Sequence, residues 1–551
     1  MLGTFADLQS GGDHDICIVG AGAAGLVLAD ALSGKGLRVL LLEAGGAKRL
    51  KASQDFYRGE ILDPTIHPWI DRYRVRALGG TTTIWGGRAI PFDPIDFEAR
   101  DWAPGSGWPF GYEALAPYYP EALERTDAGR FLFDPASALP GSQSELAPGL
   151  DGELIRTTIE RFSKPTNFWR KYGDALTRSA DVRVCPNAAV TGIRLHPDGR
   201  KVDHLQVAGP AGETVRLRAG AYVLALGGLE TARLMLASND LRPAGVGNEH
   251  GHLGRNYMSH LCTTEGVVTF AGPASGVAYD YERDADGVYL RRRLWITERA
   301  QRERRLLNTT FRTHLPEPGD PSHRDAILSA MFLVKDMVLY EYARKFAENP
   351  VTLPQRLRHV ANVVTQPFRL AGFGLGWTRD RILAERKRPS VVLGSSQNQY
   401  VVEFHAEQAP NPNSRVSLSD ERDAHGVPRL KVDWGVTPVD LESLRGCYEL
   451  LASELARTGV GRLAYDPERL VAKACKNGIV GGHHIGTARM SVRPEDGVVD
   501  PDCRVHGVDN LYVASAAVFP SSGQANPTLT LLALTLRLAE RLAGRRLSAA
   551  A

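Results

Sequence analysis

Two adjacent histidines, His483 and His484 in "GGHHIGTARMS", stand ahead of a Gly-Thr turn near the end of a 551-residue chain. Imidazole titrates near neutral pH, so a histidine placed there can take a proton from a reacting group or return one. Neighbouring side chains of an extended segment point to opposite faces, so only one of the two easily faces a given partner. The other is then expected to be a buried, hydrogen-bonded support. At the opposite end of the chain, Gly20, Gly22 and Gly25 form a GxGxxG sequence, and Glu43 follows 18 positions beyond Gly25. Such glycines let the backbone approach a pyrophosphate at a helix N-terminus, and such a carboxylate can hold a ribose hydroxyl.

The elements around these residues fit that chemistry. "DICIVGAGAAGLVLADALSGKGLRVLLLEAGG" reads as a short apolar strand, a glycine turn, a helix and a second apolar strand ending at Glu43, a β-α-β unit that binds a dinucleotide. The fingerprint serves nicotinamide and flavin cofactors alike. No second GxGxxG is present: "GFGLGW" at 372–377 and "ALGGLETAR" at 225–233 both break the spacing. With no CxxC either, the chain does not read as a pyridine-nucleotide disulfide reductase.

Residues 51–130, rich in Gly, Pro and aromatics, predict long functional loops laid over the core. Strand patterning returns at 182–235, and from about 261 to 475 alternating segments such as "QYVVEFHAEQ" mix with helices, predicting an antiparallel sheet. The predicted fold is therefore α/β. A discontinuous Rossmann-like domain takes in 1–260, with the loop excursions, and 480–551. An α+β substrate domain on an antiparallel sheet occupies 261–479.

Hydrophobic content of 43%, charged content of 23% and a net charge of +3 are those of an ordinary globular protein and give no sign of a nucleic-acid partner. Six scattered cysteines suit neither a zinc site nor a disulfide framework, so no metal and a reducing, cytoplasmic setting are expected. "MLGTFADLQSGGDHD" lacks the features of an export signal, and no apolar run of about 18 residues predicts a membrane span.

The GxGxxG loop, "LGGTTTIWGG" at 78–87, "VLALGGLETARLML" at 223–236 and the C-terminal stretch occur together and in order. In this the chain resembles the glucose-methanol-choline (GMC) oxidoreductases, a family of FAD-dependent alcohol-oxidising enzymes. The resemblance covers roughly 13–120, 182–260 and 480–545, and extends to 261–475 only in general layout. It implies that His483, three residues before Gly486 and Thr487, is the base. Asn526 in "QANPTLT" is implied as its partner, with Thr528 beside it at the flavin. Gly79, Gly80, Thr81, Thr83, Trp85 and Gly86 would line the flavin, with Val190 at the adenine end and Ser515 and Ala516 beside the ring system. Ser515 replaces a common family aspartate. Ile84 stands where some members carry a histidine bonded to the flavin, which implies non-covalent FAD. The Thr-x-Trp pattern ending at Trp85 is similar to the pyranose- and glycoside-oxidising bacterial branch, so a carbohydrate-like alcohol is the expected small-molecule substrate.

The electron acceptor is open between oxygen, a quinone and a redox protein, with a dehydrogenase favoured over an oxidase. Two other functions share the scaffold: an FAD subunit relaying electrons in a membrane-linked dehydrogenase, and a flavin hydroxylase or lyase. Glu407 and Gln408 are expected to be solvated or to cap a ladder, with contact to a substrate hydroxyl as the alternative. The basic run at 289–308, interleaved with acids, predicts a solvated helix face or a surface for lipid or a redox partner. The helical stretch 331–370 is open to a subunit contact.

Overall fold

The computed structural model describes residues 1–9, 14–334 and 352–549. Its first sheet has five strands in the order Leu511–Val513, Ala221–Leu224, Ile16–Val19, Val39–Leu42 and Val182–Cys185. All four pairings are parallel. The runs "ICIV" and "VLLL" are buried along their whole length, which explains why they read as continuous apolar stretches: a parallel sheet is covered on both faces. Helix Ala23–Leu32 follows the glycine turn and packs against the C-terminal helix Thr528–Ala549. The α/β class and the discontinuous Rossmann-like half are as expected.

The second sheet is antiparallel. Its order is Gly461–Ala464, Leu261–Phe270, Gln399–Ala406, Thr309–His314, Tyr289–Ile296, Ile155–Phe162 and Arg88–Ala89, with Tyr281–Arg283 paired beside Tyr289–Ile296. Two of these strands come from before residue 260, so the sheet expected over 261–479 also draws on 88–162. One face packs Leu294, Phe311 and Phe404 towards helix Pro438–Arg457, whose Tyr448 ring sits 5.3 Å from Phe311 and 5.9 Å from Phe404. The register puts Arg293, Arg312, Glu160, Glu403 and His405 on the other face. There Arg312 lies 3.0 Å from Glu160 and 2.5 Å from Glu403, while Arg88 lies 3.0 Å from Glu160.

The basic run at 289–308 is not a solvated helix face. Tyr289–Ile296 is an inner strand whose Arg291, Arg292 and Arg293 are all buried, and the exposed charge sits on the short helix Glu298–Arg304 and on Arg305 that ends it. Each buried guanidinium finds an acceptor remote in sequence: the Thr313 carbonyl for Arg291, Glu282 for Arg292, and Thr158 and Gln524 for Arg293. Of the stretch 331–370, residues 335–351 lie outside the described residues, and Leu353–Val364 and the start of Pro367–Trp377 are helical.

Candidate active site

The histidine motif is clamped by backbone bonds. Met258 and Ile485 exchange N–H···O bonds of 2.9 and 3.1 Å, and the N–H of Val480 donates to the His260 carbonyl at 2.9 Å. Gly486 has φ +87°, and a Cβ there would stand 2.3 Å from the Asn256 carbonyl oxygen, so this turn requires glycine. Beyond it the N–H groups of Gly486, Ala488 and Met490 donate to the carbonyls of Ala516, Ala517 and Val518. Gly228 of "ALGGLETAR" backs onto the motif, since a Cβ there would lie 2.1 Å from the His484 carbonyl oxygen.

The two histidines belong to different networks. His484 is buried, with Nδ1 2.8 Å from the Tyr257 hydroxyl, which in turn lies 2.9 Å from His67 Nε2. His67 Nδ1 lies 2.7 Å from the Pro68 carbonyl, to which it must donate, so the Tyr257 O–H donates to His67 and His484 Nδ1–H donates to Tyr257. This gives His484 a supporting place.

His483, half-buried, sits between Asn526 and His260. Its Nε2 is 2.9 Å from Asn526 Nδ2 and its Nδ1 is 2.8 Å from His260 Nδ1. His260 Nε2 lies 3.1 Å from the Ser522 carbonyl, which can only accept. His260 therefore carries its proton on Nε2 and accepts at Nδ1, which makes His483 the Nδ1–H tautomer and leaves the Nε2 lone pair directed at Asn526. His405 completes the cluster: its Nδ1 donates to the Gln524 carbonyl at 2.6 Å, and its buried Nε2 has no partner among the described residues. Nitrogens of His260, His405 and His483 lie within 4.8 Å of one another, close enough to share a metal ion, although His260 and His483 spend theirs on one another. The five residues from Ser522 to Asn526 thus touch all three rings.

Burial keeps these imidazoles neutral. It lowers His260 to about 4, and it holds His483 well below the ordinary histidine value, helped by repulsion from His260 and Arg88. His484 and His405 shift the same way, again chiefly through burial.

The glycine loops meet nearby. Gly20 has φ +104°, with the Ala225 carbonyl 2.6 Å from where a Cβ would stand, and a Cβ on Gly25 would come within 1.9 Å of the Gly20 carbonyl. Gly79 N–H donates to the Ala21 carbonyl at 2.9 Å, and a Cβ on Gly80 would lie 2.9 Å from Gly22 Cα, so the two loops touch. Glu43 is buried and accepts from the N–H groups of Ala21 at 2.9 Å and Gly45 at 2.8 Å; desolvation raises its pKa. Ala188 N–H donates to the Glu43 carbonyl, which sets the strand bearing Val190 beside Glu43. Thr81 and Thr83 are exposed, whereas Thr82 turns inward to the Gly79 carbonyl at 2.6 Å. Trp85 Nε1 donates to the Thr166 carbonyl at 2.9 Å with the ring edge-on to Phe168, so this tryptophan is packed into its loop. Ser515 caps the turn Ala516–Val518 by accepting from Ala517 N–H, and Thr528 opens the C-terminal helix.

Glu407 and Gln408 are not solvated, and Glu407 does cap the ladder: its carboxylate accepts from the Asn308 N–H at 3.0 Å, just before strand Thr309–His314. Both are buried, Glu407 in a two-pronged ion pair with Arg100 at 2.5 and 2.8 Å, and Gln408 bonded to Ser259, Trp434 and Gly435. His260, His405 and Tyr257 carry no spacing signal in the sequence; only the alternation of "EFHAEQ" places His405 on the face of Glu403.

A Cβ at Gly22 or Gly86 would meet no atom within 4 Å, while Gly20, Gly25 and Gly80 are held against backbone. A backbone-lined cradle running past Glu43 to the histidines is what an extended dinucleotide with a planar ring requires, and the residues present fit FAD. Residues 410–535 match the GMC oxidoreductase family, and residues 18–54 match the NAD(P)-binding Rossmann-like domain. Residues 410–535 thus carry a GMC oxidoreductase C-terminal domain beside a Rossmann-like domain, and FAD is the cofactor expected of that family. The chain is 26% identical to paromamine 6'-oxidase of Streptomyces fradiae over 96% of this chain and 91% of that one. With the fructose dehydrogenase large subunit of Gluconobacter japonicus it shares 23% over 96% and 97% of the two chains. The fold matches the crystal structure of pyridoxine 4-oxidase from Mesorbium loti with a TM-score of 0.54 at 17% identity, covering 96% of this chain and 99% of that chain.

Proposed function

We propose that this enzyme oxidises a CH–OH group of a sugar, glycoside, polyol or related alcohol to a ketone or aldehyde, with His483 as base and Asn526 as its partner. The observation that carries the proposal is the His483–Asn526 contact, in which an unprotonated Nε2 faces an amide donor. Non-covalent FAD, held by the glycine loops, would supply the acceptor for the hydride leaving the carbinol carbon. His483 Nε2 takes the hydroxyl proton, and Asn526 Nδ2–H donates to the same oxygen as it gains negative charge. His260 accepts from His483 Nδ1–H throughout, acting as a positioning residue that keeps the lone pair at Nε2. Gly20, Gly22, Gly25 and Glu43 would hold the pyrophosphate and ribose, with Gly79 to Gly86, Ala516 and Thr528 around the ring system. Ile84 has no nucleophilic atom for a flavin bond.

A carbohydrate-like substrate is supported by relatives named for paromamine and fructose. The test is anaerobic flavin reduction across sugars, glycosides, polyols and simple alcohols. His483→Ala should keep FAD and lose the bleaching of the flavin by substrate; an undiminished reductive rate in that variant would sink the assignment.

A further inference from the structure

Helix Leu353–Val364 is mounted inside out. His359 and Asn362 face the protein while its arginines Arg356 and Arg358 are exposed: His359 is buried, with Nδ1 3.1 Å from Ser329 Oγ and Nε2 3.2 Å from the Gly319 carbonyl, and Asn362 Nδ2 donates to the Pro321 carbonyl at 3.0 Å. Its apolar residues Leu353, Leu357, Val360 and Val364 form a single stripe at helical spacing, and all four lie between 45% and 70% exposed. An ordinary surface helix is oriented the other way. The following helix Pro367–Trp377, "PFRLAGFGLGW", buries no residue although Arg369 is its only charge. Phe368 is 91% and Leu375 76% exposed, and Ile382 and Leu383 continue the apolar surface.

A contiguous exposed patch of this kind marks a contact surface, and the surrounding charge indicates with what. Between 356 and 388 there are eight arginines and lysines against Asp380 and Glu385; Arg369, Arg379 and Arg388 pair with Asp325, Asp380 and Asp280, while Arg356, Arg358 and Lys387 are exposed. At the foot of the helices a cleft of about 650 Å³ is lined by Arg283, Arg379 and Arg388 with Tyr281, Tyr289 and Leu383, and Asp380 is its one carboxylate. An apolar stripe flanked by exposed arginines on one helix, continued by exposed aromatic and aliphatic residues on the next, suits a pair of helices lying in a membrane interface. Eleven residues are too few to span a bilayer, which takes about 20, and no helix among the described residues is long and apolar enough to cross one.

We propose that residues 353–388 dock this enzyme on the surface of a bilayer rich in anionic phospholipid. The apolar helices enter the boundary between headgroups and acyl chains, and the exposed Arg356, Arg358 and Lys387 meet the headgroup phosphates.

Flotation of the full-length holoenzyme with vesicles tests this. The protein should rise with phosphatidylglycerol–phosphatidylcholine vesicles, rise less with pure phosphatidylcholine, and be partly released by high salt. Combining Leu357→Ser, Phe368→Ser and Leu375→Ser should weaken binding by at least about a hundredfold, since each large apolar side chain taken from water is worth about tenfold or more. FAD content and melting temperature should stay at wild-type values. Reversing exposed charge with Arg356→Glu, Arg358→Glu and Lys387→Glu should abolish the preference for phosphatidylglycerol, and this set serves if the apolar variant does not fold. The proposal is overturned if the wild type fails to float with anionic vesicles, or if both variants float like it. It is equally overturned if the patch instead drives self-association that the serine variant abolishes, with no vesicle binding.

Discussion

Replacing His260 with phenylalanine isolates what holds the catalytic lone pair in place. In the wild type, the Ser522 carbonyl fixes the His260 proton on Nε2, and His260 Nδ1 then accepts from His483 Nδ1 at 2.8 Å. Phenylalanine removes that acceptor in a fully buried position. A buried donor without a partner costs about 1–3 kcal/mol, enough to move the His483 proton from Nδ1 to Nε2. The vacated arrangement is prepared for it, because Asn526 Oδ1 has no partner among the described residues and can accept Nε2–H once the amide turns over. That tautomer has no lone pair at Nε2 for the substrate hydroxyl. The same 1–3 kcal/mol translates into a loss of roughly ten- to a hundredfold in the rate of anaerobic flavin reduction at saturating alcohol. The loss should fall on kcat rather than KM, with FAD content unchanged. His260→Asn, which keeps an acceptor, should recover part of the rate. A phenylalanine variant that reduces its flavin within about threefold of the wild-type rate would refute the tautomer argument.

The buried histidines also make stability pH-dependent. The folded-state pKa of His260 is lowered to about 4, so its contribution is complete above 6.5 and is lost as pH falls from 6.5 towards 4, about 3 kcal/mol in all. Asp440, raised to about 6, works in the opposite direction over part of that window, so the readout is the difference between wild type and His260→Asn in thermal melts at pH 7 and pH 4.5; equal pH slopes would contradict the assignment. Gly25→Ala, whose Cβ would stand 1.9 Å from the Gly20 carbonyl, should give no folded yellow protein. Gly22→Ala, whose Cβ meets nothing within 4 Å, should fold and bind FAD more weakly; wild-type affinity by equilibrium dialysis would remove that loop from the cofactor site. Glu407→Gln leaves Arg100 buried and unpaired and should cost about 3–5 kcal/mol in urea unfolding, a change below about 1 kcal/mol meaning that the pair is not desolvated.

What could be read from the sequence was what is short-range. The strand, the glycine turn, the helix and Glu43 lie within 28 residues, and their geometry follows from local rules: buried parallel strands are continuously apolar, and the turn needs glycine where the Ala225 and Gly20 carbonyls press in. His483 and Asn526 stand 43 residues apart and were paired by resemblance, not by pattern. His260 is 223 residues from His483, and Arg100 is 307 from Glu407, so neither partnership leaves a trace in local spacing. The run "YLRRRLWI" misleads for the same reason. Three successive arginines look solvated until sheet register supplies Thr313, Glu282, Thr158 and Gln524 as acceptors.

The loop before the C-terminal helix gives the cluster one origin. Ser522 and Gln524 offer carbonyls to His260 and His405, and Asn526 offers its amide to His483, so three alternate residues of one buried loop orient three rings from three separate segments. Carbonyls only accept, so this loop sets where protons sit on His260 and His405, and through His260 on His483 as well. The loop is itself pinned: Gly523 has φ +56° with Asp96 2.6 Å from where a Cβ would stand, the Ser521 hydroxyl donates to the Asp96 carbonyl at 2.6 Å, and Ser522 bonds the backbone of Gln408 in both directions at 3.0 Å. Basicity at His483 Nε2 is therefore a property of backbone placement as much as of the histidine. That is why a motif naming only His483, Gly486, Thr487 and Asn526 can mark the site while leaving out the groups that decide its protonation.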